Sequence, residues 1–114
     1  MHVVRAVPTQ ALNEKLSVQR MSEQLGAQHV RANVFTLAEG SMSRHLHREQ
    51  EEVYLVLDGQ AMIEVGEEQF LVGEREALAV PAQAWHRVTN VGVGPLTFYV
   101  VAAPPVEGDA EIER

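Results

Sequence analysis

Gly40-Ser41-Met42-Ser43-Arg44-His45-Leu46-His47-Arg48-Glu49-Gln50-Glu51-Glu52-Val53-Tyr54-Leu55-Val56-Leu57-Asp58-Gly59 carries two signals in one run of sequence. Its second half, Val53 to Leu57, is apolar at every position, and Asp58-Gly59 ends it as a tight hairpin turn. Its first half sets His45 and His47 two apart, so on a strand both imidazoles point to the same side. Glu52 follows and opens the apolar strand. A strand that is apolar on both faces needs an interior on one side and a second layer or a second subunit on the other. Phe98-Tyr99-Val100-Val101 has the same character, and together the two runs predict a homodimer.

Outward from this run the texture is short β-type segments between turn residues. Val30–Leu37, Glu52–Leu57, Ala61–Val65, Ala77–Val80, His86–Val91 and Leu96–Val101 read as strands. Ala61, Ile63 and Val65 alternate with Met62 and Glu64, as on a strand with one buried face. Gly66-Glu67 reads as a second hairpin turn, and Gly73, Gly92, Gly94 and Pro95 punctuate the rest. No window keeps a helical apolar period for three turns. The chain is predicted to be all-β, a sandwich or barrel.

Composition bounds what such a domain can do. At 114 residues the chain fits one domain, which buries roughly two-thirds of its unfolded surface. Nine basic residues against 16 acidic give a net charge of −7, and the arginines are scattered. That excludes sequence-independent nucleic-acid binding, which rests on clustered Lys and Arg, and disfavours anionic membranes. There is no cysteine, so any metal must be held by nitrogen and oxygen. The first residues lack the apolar core of a secretory signal and no apolar run reaches membrane-spanning length, so a cytoplasmic location is predicted. Residues 1–14 read as an N-terminal extension, with a short helical turn over Thr9 to Glu14, and 15–103 as the barrel. Residues 104–114, acidic beyond Pro104-Pro105, read as a flexible, solvated tail.

The chemistry-bearing side chains are His45, His47 and Glu52, with His86 far along the chain at the start of another strand. Neutral imidazoles and a carboxylate suit a borderline divalent metal. Taken alone, an H-x-H pair is more often two surface histidines than a site.

The spacing around it matters more. The run from Gly40 to Gly59 resembles the first motif of the cupin family, G-x5-H-x-H-x(3,4)-E-x6-G, with His45, His47, Glu52 and Gly59 in place. Pro81-Ala82-Gln83-Ala84-Trp85-His86-Arg87-Val88-Thr89-Asn90 resembles the later part of the second motif, with Pro81, His86 and Asn90 where that pattern wants them. The resemblance covers about Lys15 to Val101 and implies a small jelly-roll barrel, a double-stranded β-helix. It also implies that His45, His47, Glu52 and His86 are metal ligands at the barrel mouth. Glu51 competes with Glu52 for the carboxylate position, and Glu52 is preferred because it keeps six residues to Gly59. Three departures stand out: Gly40 lies one residue closer to His45 than in the pattern, Gly73 lies two residues too far before Pro81, and Gln83 replaces a glycine. The Gly73 departure suggests a turn built by Arg75-Glu76, and a positive φ at Gln83 would cost on the order of 1 kcal/mol.

Tyr54 has two readings, a phenolic hydrogen-bond donor to a bound ligand or a barrel-filling aromatic. Trp85 points opposite to His86 and so belongs to the outer face; Phe35, Met42 and Phe98 read as core, and His2 and His29 as ordinary polar positions. Ser41 and Ser43 near His45 invite a hydrolase reading, but no G-x-S-x-G turn is present, nor a P-loop or G-x-G-x-x-G. The resemblance therefore implies a metal-dependent enzyme, dioxygenase- or isomerase-like, acting on a small polar organic molecule. The ion would be a divalent transition metal: such ligands accept iron, manganese, nickel or zinc, and also cobalt or copper. A non-catalytic barrel that holds or senses a small ligand is the alternative from another class. A metal-free epimerase using a histidine base is a third, and the four-residue set counts against it.

Overall fold

The computed structural model describes residues 2–114. Eleven strands and one short helix follow in the order β1 (Thr9–Ala11), β2 (Leu16–Gln19), α1 (Met21–Leu25), β3 (Arg31–Leu37), β4 (His45–His47), β5 (Glu51–Asp58), β6 (Ala61–Val65), β7 (Glu68–Val72), β8 (Ala77–Val80), β9 (His86–Asn90), β10 (Leu96–Ala103) and β11 (Ala110–Ile112). They form a six-stranded sheet, β1-β2-β3-β10-β5-β8, and a five-stranded sheet, β11-β4-β9-β6-β7. All pairings are antiparallel, and the apolar inner faces pack on each other as a jelly roll. The all-β reading holds.

Alternation decides which side chains enter the core. On β5, Glu52, Tyr54 and Val56 are buried while Glu51, Val53 and Leu57 are exposed. On β10, Leu96, Phe98, Val100 and Ala102 face inward. Across the interior the second sheet contributes Ala61, Ile63, Val72 and Val88. Burying one such Val, Leu or Phe side chain stabilises the fold by about 1.5–3 kcal/mol.

The turns follow from local backbone demands. Asp58-Gly59 and Gly66-Glu67 close the β5–β6 and β6–β7 hairpins. Gly59 has φ +94°, and a Cβ there would lie 2.9 Å from the Pro95 carbonyl oxygen. Two non-glycine residues share this region of φ: Arg75 at 66° and Gln83 at 70°. Arg75 is half of the expected substitute turn, its N–H bonded to the Val56 carbonyl at 2.8 Å. Gln83 keeps the strained conformation of the glycine it replaces, and two bonds offset the cost: its N–H donates to the His47 carbonyl at 2.7 Å and its Nε2 to the Arg48 carbonyl at 2.8 Å.

Both chain ends differ from expectation. Thr9–Ala11 is not a helical turn but strand β1, folded back on β2 because Asn13 Oδ1 accepts the N–H groups of Lys15 and Leu16 at 2.8 and 2.9 Å. Among the described residues the helix lies later, at Met21–Leu25, pinned to β3 by the Ala32 N–H donating to Ser22 Oγ at 3.0 Å. At the other end, Ala110–Ile112 is not a solvated tail but strand β11, paired with all three residues of β4. An apolar count misses such a strand, since its own side chains are exposed and it is held by backbone bonds and by buried Asp109. Asp109 accepts the N–H groups of Glu49 and Gln50 at 3.0–3.1 Å.

Candidate metal centre

His45 and His86 are register partners on β4 and β9, so two-residue alternation puts both rings on the inner side of the five-stranded sheet. His47 follows on the same side of β4. Glu52 comes from the opposite sheet, on β5, where Ala102 and Val80 flank it in register. One potential ligand atom from each of the four residues lies within 4.8 Å of all the others. Glu51 is exposed on the other face of β5 and stays outside the cluster.

The rings are oriented by their Nδ1 atoms. His45 Nδ1 lies 3.0 Å from the Ser43 carbonyl oxygen and His86 Nδ1 lies 2.9 Å from that of Ala84. A carbonyl accepts only, so each Nδ1 carries the proton and each Nε2 turns a lone pair to the cluster. His86 Nε2 is 2.9 Å from Glu52 Oε1 and His47 Nε2 is 3.5 Å from Glu52 Oε2. The His86 ring is not aligned to donate to that oxygen, so its Nε2 is buried without a hydrogen-bond partner. Unpaired acceptors converging at this depth are costly unless a cation or proton lies between them. This donor set, nitrogen and oxygen only, fits a divalent transition metal.

Electrostatics agree. Burial alone would raise the Glu52 pKa, yet a proton held by the facing His86 or by the neighbouring imidazoles draws the carboxyl below its usual value, as a cation in that place would. Burial lowers the pKa of His45, with the neighbouring His86 adding to it, so this ring is kept neutral. Tyr54 is 2% exposed, and burial followed by the charge of Glu52 pushes its phenol well above the usual range. Its hydroxyl donates to Glu52 Oε1 at 3.1 Å, so within the chain the phenol holds the carboxylate.

Below the cluster lies an aromatic floor. Tyr54 stacks on Phe98 with centroids 5.9 Å apart, and Phe98 stacks on Phe35 at 5.6 Å. A cavity of about 1220 Å³ opens above it, lined by His45, His47, Glu52, Tyr54 and Phe98 among others. Trp85 lies outside this lining, with the Arg44 guanidinium 6.0 Å from its ring centroid. Ser41 Oγ is bonded to Thr89 Oγ1 at 2.7 Å, and no serine hydroxyl pairs with a histidine among the described residues. Asn90 serves the frame instead, its Nδ2 reaching the carbonyls of Leu37, Ala38 and Gly94.

Three polar residues at the site were missed from the sequence. Gln50 is 3% exposed, lines the cavity and leaves Nε2 unpartnered; Asn33 lines it with Oδ1 unpartnered. A signal existed for both. Gln50 shares the face of Glu52 two residues on, and Asn33 interrupts the inward alternation of β3 in register with Val100. Asp109 gave no such signal, because it lies outside the recognisable motifs.

A mixed histidine–carboxylate cluster at the mouth of a jelly roll defines a class of small β-barrel proteins with a potential metal centre. The cupin-domain family matches residues 33–102, more than half of the chain, and the chain belongs to that family. An uncharacterized protein of Methanocaldococcus jannaschii is 30% identical over 61 residues, 54% of this chain and 49% of that protein. The chain thus spans about half the length of that relative. Among solved structures, a cupin-superfamily sugar phosphate isomerase from Silicibacter pomeroyi aligns with TM-score 0.73 and 26% identity, over 79% of this chain and 60% of that one. The oxalate decarboxylase of Lactobacillus farciminis, in a formate complex, aligns with TM-score 0.79 and 21% identity, over 93% of this chain and 33% of that one. The latter likeness speaks to the fold.

Proposed function

We propose that His45, His47, Glu52 and His86 bind one divalent transition metal ion, and that the chain is a small metal-dependent enzyme, isomerase- or dioxygenase-like, acting on a small polar organic molecule. The observation that carries this is the convergence of Nε2 lone pairs and one ionised carboxylate at the mouth of an open cavity. A bound ion would supply Lewis acidity toward substrate oxygens. The protein's own groups do the rest. Tyr54 holds Glu52 in place, and Ser43 and Ala84 fix the faces of His45 and His86. Phe98 and Phe35 supply an apolar, stacked part of the cavity lining.

The polar character of the substrate is supported by Asn33 and Gln50, two amide side chains that line the cavity and each keep one buried atom without a partner in the chain. The likeness to a sugar phosphate isomerase is consistent with an oxygen-rich substrate of that kind. The outer face of the six-stranded sheet, where Val53 and Leu57 are 43% and 44% exposed beside Tyr99 and Val101, is proposed as the homodimer contact.

The test is metal analysis after anaerobic purification, followed by turnover assays on diketones, keto acids, catechols and phosphorylated sugars. Stoichiometric metal with turnover of one class supports the enzyme. Stoichiometric metal with ligand-induced stabilisation and no turnover makes the chain a binding module.

A further inference from the structure

His47 is the histidine of the cluster whose outer nitrogen meets no backbone carbonyl. Its Nδ1 is buried without a hydrogen-bond partner and faces Asp109, with Oδ2 3.8 Å away. The Asp109 side chain is 4% exposed and already accepts the Glu49 and Gln50 N–H groups, while its own carbonyl accepts the Arg48 N–H at 3.1 Å. It is therefore fixed relative to the end of β4. The following strand pairs Ala110 with His47 and Ile112 with His45, so the segment that carries Asp109 also straps the strand that carries two of the four candidate ligands. This segment lies beyond residue 102, where the cupin-domain match ends.

We propose that Asp109 is a positioning residue for the metal centre: it receives the Nδ1 proton of His47 and thereby turns the His47 Nε2 lone pair to the ion. Closing 3.8 Å to bonding distance takes a small rotation of the ring on its Cβ. A carboxylate in this place orients the ring as the Ser43 and Ala84 carbonyls orient the other two, and adds basicity that a carbonyl does not. The proposal rests on the metal reading above.

Zinc alone is the probe, in competition with a chromogenic chelator. The variant is Asp109→Asn, which keeps an oxygen to accept the Glu49 and Gln50 N–H groups and loses the charge. The expected result is a zinc affinity lowered by about tenfold or more, in a metal-free chain that still melts cooperatively at a temperature lowered only by the lost charge. Asp109→Ala is expected to lower both. Unchanged zinc affinity in Asp109→Asn overturns the proposal while leaving the metal reading standing; a wild-type chain that takes up no zinc or other transition ion overturns the metal reading itself. A second readout needs no variant: long-range ¹H–¹⁵N spectra of the zinc-loaded wild-type chain should place the His47 proton on Nδ1. A proton on Nε2 overturns the proposal.

Discussion

Glu52 and His86 face each other across 2.9 Å from opposite sheets of the jelly roll, with an oxygen and a nitrogen that both have lone pairs to give. Their strands reach this point for ordinary reasons, alternation on β5 and register with His45 on β9. The chemistry arises because the two apolar faces meet. Replacing Glu52 by Gln keeps the volume and the acceptor for Tyr54 but removes the charge. Metal affinity measured by chelator competition should fall at least 100-fold, with a smaller fall in the metal-free melting temperature from loss of the carboxylate's own contribution.

Acid should weaken the metal-free chain in two stages. His45 has a folded pKa below its ordinary value near 6.5, so the unfolded chain binds the extra proton as pH falls through that value. Stability is then lost from about 6.5 downward until the folded ring protonates as well. Glu52 and Asp109 also have depressed folded values, so their contributions are present above the ordinary carboxylate range and lost as pH falls through the folded ones. Thermal melts against pH should show both stages in wild type, and His45→Gln should abolish the first while keeping the second.

Gly59→Ala tests the turn between β5 and β6. The positive φ costs about 1–2 kcal/mol for an alanine, and the close Pro95 carbonyl adds to it. A lower denaturant midpoint with an unchanged m-value is expected.

Asn90→Ala separates frame from site. It removes the donor to the Leu37, Ala38 and Gly94 carbonyls and should cost about 2 kcal/mol in chemical denaturation. Metal affinity of the folded fraction should stay at the wild-type value. This would show that the motif's asparagine is architectural.

Val53→Glu places a charge on the exposed apolar stripe of β5. Light scattering after size exclusion should report a dimer for wild type and a monomer for the variant, with metal content per chain unchanged.

The legible parts of this fold were those where apolar side chains alternate or stack up. β6 and β8 were read to the residue, and β3, β5, β9 and β10 to within a residue or two at each end. The four-residue cluster was legible because its members sit at motif spacing. Four strands escaped: β1, set by an Asn13 turn; β2, whose four residues alternate Leu16 and Val18 inward but are too short a run to stand out; β7, with one buried residue, Val72, among its neighbours; and β11, held by Asp109 and pairing to β4. Polar capping and edge pairing leave little trace in a hydropathy pattern. Gln50 and Asn33 were hidden for a related reason, since an amide on an inner face looks in sequence like a loop residue.

The most direct measurement is elemental analysis of the purified protein beside its His86→Ala variant, each then titrated with a transition-metal salt. One equivalent of metal per chain in wild type, and a large loss of both content and uptake in the variant, are expected. Wild type without stoichiometric metal, together with uptake that the variant leaves unaltered, would contradict the account.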